Sequence, residues 1–530
     1  MITRLLRINP MHMTRVLRAV GVLAAVAVAG CNTLDVQNPN APDAGRALSD
    51  PAALEAVAGG TMRTWFNTYD GCEGNCVLVT QAQTFSASWN NWNMNFYSSI
   101  DDDGKRLTRP WQNDPAAAGR TSIEVPWVGM YAAISSATDV LRVIRKDGKI
   151  INNAADTKRA ETISELMLGA GLSYIALNYD KGYIVDEDAD PKTLTYSNRK
   201  QIRDAAVAKL QSAANLAKAN TFNTPAAWTN GVSYSNVQIA QIANTLAGIT
   251  LAYYPRSAAE NANVNWSQVL AFTQAGMSSG TPVDFVFVGD GCTAWCHQML
   301  VWFDGFDTGR LHTRLANMLD PATQKTPYPA GGNSRPNSVD KRLGDGSFGD
   351  ASIVDGFGTI PKTPRGGTDF VYSRDEIFRP SRGSYHQSNI GFVRYDLSGN
   401  QDAAGIYNGF GPAPVVSAGQ SDLLWAEALI RSGGSLAEAA NRINRTRVTR
   451  GGLSPATAGD GTTGLLSKLG YEMEIELLGL GPAPYYWRRR TDGLIPGTPH
   501  EMPVPAKELG VKGEPLYTWG GSGPANSPPP

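Results

Sequence analysis

The chain has 530 residues, of which 42% are hydrophobic and 18% charged, and its formal net charge is −1 at pH 7. A chain of this length can bury a large core in two or three domain-sized units. Because the acidic and basic residues are balanced and well mixed, the composition excludes the basic footprint of a nucleic-acid-binding protein.

The most informative segment lies near the start, at residues 13–31. Arg15 and Arg18 precede a short apolar run over 19–29, which is too short to span a bilayer and is typical of a signal peptide. Small residues then lead directly into Cys31, a pattern typical of a bacterial lipobox. We therefore predict that residues 1–30 are removed and that Cys31 is lipidated, which anchors the chain to a membrane. The alternative is an ordinary signal peptide followed by an incidental cysteine.

Four further cysteines form two matched pairs, Cys72 with Cys76 and Cys292 with Cys296. An exported protein meets an oxidising compartment, so paired cysteines indicate disulfides, and we favour the two local bridges among the three possible connectivities. A zinc site with His297 and His312 near the second pair is the alternative.

Helices dominate the elements that the sequence predicts after residue 50. Residues 31–50 are rich in Asn, Pro and Asp and predict a flexible tether. Asp50-Pro51 then predicts a helix start, with the helix continuing over 52–65. Apolar residues at helical spacing predict eight further helices. These lie at 125–144, 160–179, 199–219, 236–254, 266–277, 421–431, 435–448 and 464–480.

The middle of the chain, from about 280 to 414, has a different character. It is rich in Gly, Pro, Ser and Asp, with short strand-like fragments at 283–288, 353–354 and 391–395. Such long stretches without periodicity usually carry function in a compact protein. We therefore expect ligand to bind in this loop-rich region.

The helices are predicted to pair as 160–179 with 199–219, 236–254 with 265–277, and 421–431 with 435–448. Alanines in the last pair, including Ala426 and Ala440, permit close helix packing. This predicts a mainly α fold of tetratricopeptide-like helix pairs. An unspecific helical bundle is the alternative.

Several segments, taken in order, resemble the SusD/RagB family of outer-membrane nutrient-binding lipoproteins. The mature start from Cys31 to Asn40 is similar to the cysteine and Asn-Pro tether of the family. Residues 166–183 resemble its Arg/Ala-rich helix that ends near a Tyr-Gly turn, although this chain has Tyr-Asp-Lys-Gly at 179–182. Residues 421–453 resemble its alanine-rich helix pair. Residues 471–490 depart from the family pattern, because Gly-Pro-Ala-Pro interrupts them at 481–484. Residues 498–509 resemble the closing segment.

The resemblance implies a SusD-like α/α superhelix with a loop-rich ligand-binding subdomain that contains short strands. It divides the chain into a signal peptide (1–30), a tether (31–50), an N-terminal region (51–279), a loop-rich ligand subdomain (280–414) and a C-terminal region (415–530). It also implies a partner, a TonB-dependent SusC-like transporter, over which the lipoprotein acts as a lid at the outer-membrane surface. The ligand would be a glycan, a peptide or another nutrient.

Two aromatic groups are candidates for ligand binding. Sugars present apolar faces rimmed by hydroxyls, and aromatic rings with neighbouring amides or carboxylates suit both features. The first group is Trp89, Asn91, Trp92, Asn93 and Tyr97, and the second is Trp295, Trp302 and Asp304. The alternative is that these aromatic residues belong to the core.

Other charged clusters indicate structural roles. Asp101 to Asp103 lack the alternate spacing of a calcium loop, so a solvated turn is favoured over a calcium site. Arg488 to Arg490 are expected to pin the last helix by pairing with acids or carbonyls, with an anion site as the alternative.

The sequence predicts a binding protein that is not an enzyme and has no cofactor. It lacks a Gly-x-Ser-x-Gly elbow and a His-Glu-x-x-His helix. The two alternatives that remain are an autonomous solute-binding lipoprotein and a surface glycoside hydrolase, which needs two paired carboxylates.

Overall fold

The computed structural model describes residues 50–98, 109–190, 192–303, 309–347, 351–355, 358–361, 367–372, 381, 383, 385–395 and 409–530. The predicted signal peptide, Cys31, the tether over 31–49 and the acidic run 101–103 lie outside these residues. Residues 51–530 form one compact unit.

Helices make up most of the described chain. In chain order they are α1 (Pro51–Tyr69), α2 (Asn75–Gln81), α3 (Met94–Ser98), α4 (Thr121–Arg145), α5 (Ala154–Asn178), α6 (Arg199–Ala219), α7 (Asn236–Tyr253), α8 (Ala258–Ala262), α9 (Trp266–Gln274), α10 (Gln298–Phe303), α11 (Thr313–Leu319), α12 (Ala418–Arg431), α13 (Leu436–Arg447), α14 (Gly461–Ile475), α15 (Ala483–Arg490) and α16 (Ala506–Lys512).

Local capping explains where the central helices begin. At the start of α6 the Asn198 side chain accepts from the Gln201 N–H while the Gln201 side chain accepts from the Asn198 N–H. Ser235 and Gln238 form the same reciprocal arrangement at the start of α7. Each of these reciprocal arrangements is a capping box, which satisfies two backbone N–H donors that a helix start leaves unpaired.

The predicted helix pairs are confirmed. Helix α5 packs on α6, α7 packs on α9, and α12 packs on α13. At Gly169 of α5 a Cβ atom would lie 2.8 Å from Cγ of Leu210 on α6, so only glycine permits this close approach. The result is a mainly helical fold of paired helices.

The strands are short and form two-stranded antiparallel sheets. They pair as β1 (Phe85–Ser86) with β5 (Arg310–Leu311), β2 (Lys181–Gly182) with β3 (Ser197–Asn198), β4 (Phe285–Asp290) with β10 (Phe410–Val416), β6 (Ala351–Asp355) with β7 (Gly358–Pro361), and β8 (Phe370–Tyr372) with β9 (Ile390–Phe392). The β4–β10 ribbon returns the chain from the loop-rich region to the C-terminal helices.

The helix predicted over 464–480 ends earlier, at Ile475, and a separate helix α15 follows. Gly479 and Gly481 take φ values of +82° and +52°, a backbone conformation that interrupts a right-handed helix. The short helices α10 and α11 also lie within the region predicted to be loop-rich. Short helices of six or seven residues present too few turns for a periodic signal.

Within the described ranges, no helix combines the length and the apolar character that crossing a bilayer requires. One core cluster includes the first cysteine pair and residues of the loop-rich region. It joins Cys72 and Cys76 to Phe85, Phe303, Phe392 and Leu478, and Trp92 and Trp302 pack against its edge.

Candidate functional site

Two tryptophans from distant segments meet at the edge of this core. Trp92 lies in the short 3₁₀ turn Asn91–Asn93 before α3, and Trp302 lies in α10. Their ring centroids are 6.4 Å apart and the ring planes meet at 76°, an edge-to-face arrangement. Both rings are half-buried. We refer to Trp92 and Trp302 as the tryptophan pair.

The turn that carries Trp92 is held in an uncommon conformation. Trp92 and Asn93 have φ values of +55° and +62°, which cost free energy for residues other than glycine. The Asn93 amide donates to Oγ1 of Thr121 and Oγ of Ser122, both at 3.1 Å. These bonds tie the turn to the start of α4 and fix the direction of the Trp92 ring.

Polar groups flank the pair. Asn91 is exposed and Trp89 is half-buried beside it. Nε1 of Trp92 is buried and has no hydrogen-bond partner among the described residues. Half-exposed ring surface with the exposed Asn91 amide at its edge can contact the apolar faces and the hydroxyls of a sugar together.

A cation also lies near this surface. The Arg109 guanidinium is 4.1 Å from the ring centroid of Phe96, on the helix that follows the Trp92 turn. Arg109, Thr121 and Ser122 are not among the residues predicted from the sequence. No spacing pattern relates them to the Trp92 turn, and only the folded chain brings them there.

Two predicted site residues lie in the core instead. Tyr97 is 6% exposed, and its hydroxyl donates to the Gly119 carbonyl at 3.1 Å. Trp295 is 8% exposed and packs between Phe66 and Phe287, with both centroid distances at 6.0 Å. Asp304 lies outside the described residues.

The structure joins the cysteines as the two local pairs, Cys72–Cys76 and Cys292–Cys296. The two loops are linked to each other, because the Cys72 N–H donates to Oε1 of Gln298 at 2.8 Å. Nδ2 of Asn67 donates to the Ala294 carbonyl at the same distance. The second loop leads directly into α10, so both loops position Trp302.

A buried acid and histidine lie between these loops. Nδ1 of His297 is 3.5 Å from a carboxylate oxygen of Asp70, and Nε2 of His297 contacts the Phe287 carbonyl at 2.8 Å. Burial raises the pKa of Asp70, although His297 opposes this effect. No group of three or more metal-binding side chains occurs in the described part of the chain.

Comparison with solved structures identifies the fold of the chain. No family model and no curated protein matches the chain. A SusD homolog from Bacteroides thetaiotaomicron matches with a TM-score of 0.57 at 12% identity, covering 87% of this chain and 95% of that one. The protein has a SusD-like fold. Two Bacteroides fragilis structures agree, each covering 84% of this chain and 86% of its own at 13% identity. They are a SusD-like protein with a TM-score of 0.54 and a SusD-like carbohydrate-binding protein with a TM-score of 0.53.

The resemblance seen in the sequence is thereby confirmed at the level of fold. Because identity to these SusD-like structures is only 12–13%, the roles of individual residues rest on the geometry of this chain. In this SusD-like protein the tryptophan pair joins a turn that precedes α4 to a helix of the loop-rich region.

The double variant Cys292→Ser/Cys296→Ser tests how this SusD-like protein holds Trp302. We expect a stability loss of about 2 kcal/mol, because the closed loop is short. We also expect faster amide exchange over 298–303, since α10 loses the constraint before its first turn. Hydrogen-exchange mass spectrometry measures this, with amide exchange over the distant helix α13 as the internal reference. Unchanged exchange in α10 would show that the bridge does not position Trp302.

Proposed function

We propose that this chain is a non-enzymatic lipoprotein of the outer-membrane surface that captures a glycan at the tryptophan pair. The observation that carries the proposal is the contact between Trp92 and Trp302, which come from the two aromatic groups predicted as ligand-binding. A peptide or another nutrient is the alternative ligand.

The chemistry of the pair supports a sugar ligand. Aromatic rings bind the C–H faces of pyranoses, and an amide can both donate to and accept from hydroxyls. Asn91 is exposed beside the pair, and Asn93 holds the turn beneath it. A solved structure of the same fold is described as a SusD-like carbohydrate-binding protein, which adds support from outside this chain.

The polar groups beside the tryptophan pair favour binding over catalysis. A glycoside hydrolase requires two carboxyl groups on opposite sides of the scissile bond, one of which transfers a proton. The polar neighbours described above are the amides of Asn91 and Asn93 and the guanidinium of Arg109, which bind hydroxyls but do not transfer protons at neutral pH.

The proposed partner is a TonB-dependent SusC-like transporter, which the lipoprotein would cover as a lid. Lipidation at Cys31 and the tether over 31–50 would keep the lid at the membrane while it moves. Ligand would shift the lid between open and closed states only as far as it binds one state more tightly. Recovery of a large β-barrel with the lipidated protein in a gentle membrane pull-down would support this partner, and its absence would count against the lid.

Trp302→Ala is the sharpest test of the ligand site. We expect it to weaken binding of the cognate oligosaccharide at least tenfold, because loss of an aromatic anchor costs about 1–3 kcal/mol. Trp92→Ala is expected to act in the same direction with the fold retained. Titration calorimetry against a panel of oligosaccharides measures both variants.

The matched control is Trp425→Ala, which removes another half-buried tryptophan from α12. We expect this variant to bind as the wild type does. Equal affinity in Trp302→Ala, or equal losses in all three variants, would exclude the tryptophan pair as the ligand contact.

A further inference from the structure

A buried acid and a buried histidine meet at the point where α10 begins. Asp70 directly follows α1, and His297 directly precedes α10. Asp70 is 2% exposed and His297 is fully buried, and Oδ2 of the acid lies 3.5 Å from Nδ1 of the ring. Neither atom has a hydrogen-bond partner elsewhere in the described part of the chain. Each of the two atoms therefore depends on the other.

The other nitrogen of the His297 ring determines how many protons this contact needs. Nε2 lies 2.8 Å from the Phe287 carbonyl oxygen, which can only accept, so Nε2 carries a proton. In a neutral imidazole, Nδ1 then has a lone pair and no hydrogen. An ionised Asp70 also offers only lone pairs. The contact between Nδ1 and Oδ2 therefore requires one further proton, which the two side chains share.

The surroundings of the pair make loss of this proton costly in the closed structure. The Phe66 ring meets the His297 ring edge to face, with centroids 4.9 Å apart, and it stacks on Phe287 at 4.4 Å. A carboxylate without a partner is unfavourable among such apolar groups, and burial accordingly raises the pKa of Asp70. Admitting water would relieve this cost, so a deprotonated pair favours an opened contact.

The neighbouring titratable groups do not supply the missing proton. Tyr69 precedes Asp70, and desolvation raises its pKa well above its ordinary value, so its hydroxyl stays neutral. Asp290, at the end of β4, accepts from the backbone N–H groups of residues 293–295. Glu73 lines a cavity beside the start of α4. The four cysteines near the pair are joined in disulfides and do not titrate.

The pair belongs to the joint that holds α10 against the end of α1. The Met299 N–H donates to the Asp70 carbonyl at 3.2 Å, and the Val301 N–H donates to the His297 carbonyl at 2.9 Å. These two bonds join backbone groups, which do not titrate. The contact between the side chains is the one that depends on a proton. Trp302 lies in the same short helix, so it is held through this joint.

We infer that Asp70 and His297 share one proton that holds the start of α10, and that release of this proton at alkaline pH loosens α10 and Trp302. The contact is complete while the pair keeps its proton, and it is lost as the pH rises through and above the range in which histidine titrates. A consequence for ligand capture rests on the function proposed for the tryptophan pair, whereas the joint itself does not.

Hydrogen exchange of the full chain between pH 6 and pH 9 tests this inference without a ligand. After correction for the chemical exchange rate, amides over 298–303 should exchange about tenfold faster or more at pH 9, because an opening that releases one proton becomes up to about tenfold easier per pH unit. Exchange over α13 is the internal reference. A ratio between the two helices that does not change with pH would overturn the inference. A failure of the glycan proposal would leave this result unaffected.

Asp70→Asn distinguishes a shared proton from general loosening at high pH. The new amide carries N–H groups at every pH tested and can donate to Nδ1 of neutral His297. We therefore expect α10 to stay protected in this variant at pH 9. Asp290→Asn is the matched control, because it changes a nearby acid that contacts backbone N–H groups only, and it should keep the wild-type dependence on pH. A wild-type dependence in Asp70→Asn would overturn the inference.

Discussion

Replacing Arg342 with alanine is expected to destabilise the protein by about 3–5 kcal/mol, because it leaves the buried Asp340 and Glu472 without their nearest counter-charge. The Arg342 side chain is fully buried and contacts three carboxylates. It lies 2.8 Å from Asp340, 2.8 Å from Glu472 and 3.0 Å from Glu476. Burial raises the pKa of Glu472 even with Arg342 present, so this acid should take up a proton once Arg342 is lost.

The effect should extend into the loop-rich region. The Arg342 carbonyl accepts from the N–H groups of Thr368, Asp369 and Phe370 at 3.0–3.1 Å, where β8 begins. The Arg342 side chain meanwhile contacts α14 through Glu472. Loss of the side chain should therefore loosen β8 from the C-terminal helices, and chemical denaturation followed by circular dichroism measures the cost.

Arg335→Ala is the matched control, because Arg335 pairs with Asp345 at the surface, where both side chains are more than half exposed. Its expected cost is below about 1 kcal/mol. Arg342→Lys should fall between the two, since lysine keeps the charge but loses the planar contact with two acids. A cost for Arg342→Ala as small as the control would mean that water or a shift of the acids replaces the arginine.

The helix pairs could be predicted because their signals are local. Apolar spacing alone predicted the bounds of α6 to the residue. The break between α14 and α15 depends on left-handed glycines at 479 and 481, whose conformation no periodic pattern reveals. Helix α10 is too short for a pattern, although it carries Trp302.

The aromatic composition of the segment predicted where a candidate site would lie, but it did not predict which aromatic side chains meet there. Tyr97 and Trp92 lie in the same aromatic segment, yet Tyr97 turns into the core and Trp92 reaches Trp302. The difference arises from the left-handed turn at Trp92 and Asn93 and from its bonds to α4. Both depend on residues distant in sequence, so composition alone cannot separate a core aromatic from a surface one.

The sequence predicted that the three consecutive arginines pair with acids or carbonyls, and the structure identifies these partners. Pinning by carbonyls is confirmed, since Arg489 donates to the carbonyls of Leu177, Tyr253 and His500, but the pinned helix is α15, which α16 follows. Arg490 instead pairs with Glu427 of α12 through two bonds of 2.7 Å and 2.5 Å. The sequence predicts that the arginines need partners, but the partners come from separate helices.

Glu427→Gln is expected to destabilise the protein by about 3–5 kcal/mol, because Arg490 would remain charged and buried without its acid. Both side chains are fully buried, so water cannot replace the lost carboxylate. Thermal and chemical unfolding at neutral pH measure the loss. Glu438→Gln is the matched control, since Glu438 pairs with Arg442 on α13 and its side chain is 39% exposed. That change should cost less than about 1 kcal/mol.

The same pair predicts how stability depends on pH. Burial alone would raise the pKa of Glu427, but the charge and hydrogen bonds of Arg490, with help from Arg431, hold this pKa below its ordinary value. A carboxyl whose pKa is lower in the folded state stabilises the fold fully above its unfolded pKa, near 4.3. That stabilisation is lost as the pH falls through the lower folded pKa. The free energy of unfolding should therefore fall more steeply below pH 5 in the wild type than in Glu427→Gln. Parallel curves for the two proteins would show that Glu427 does not carry this acid sensitivity.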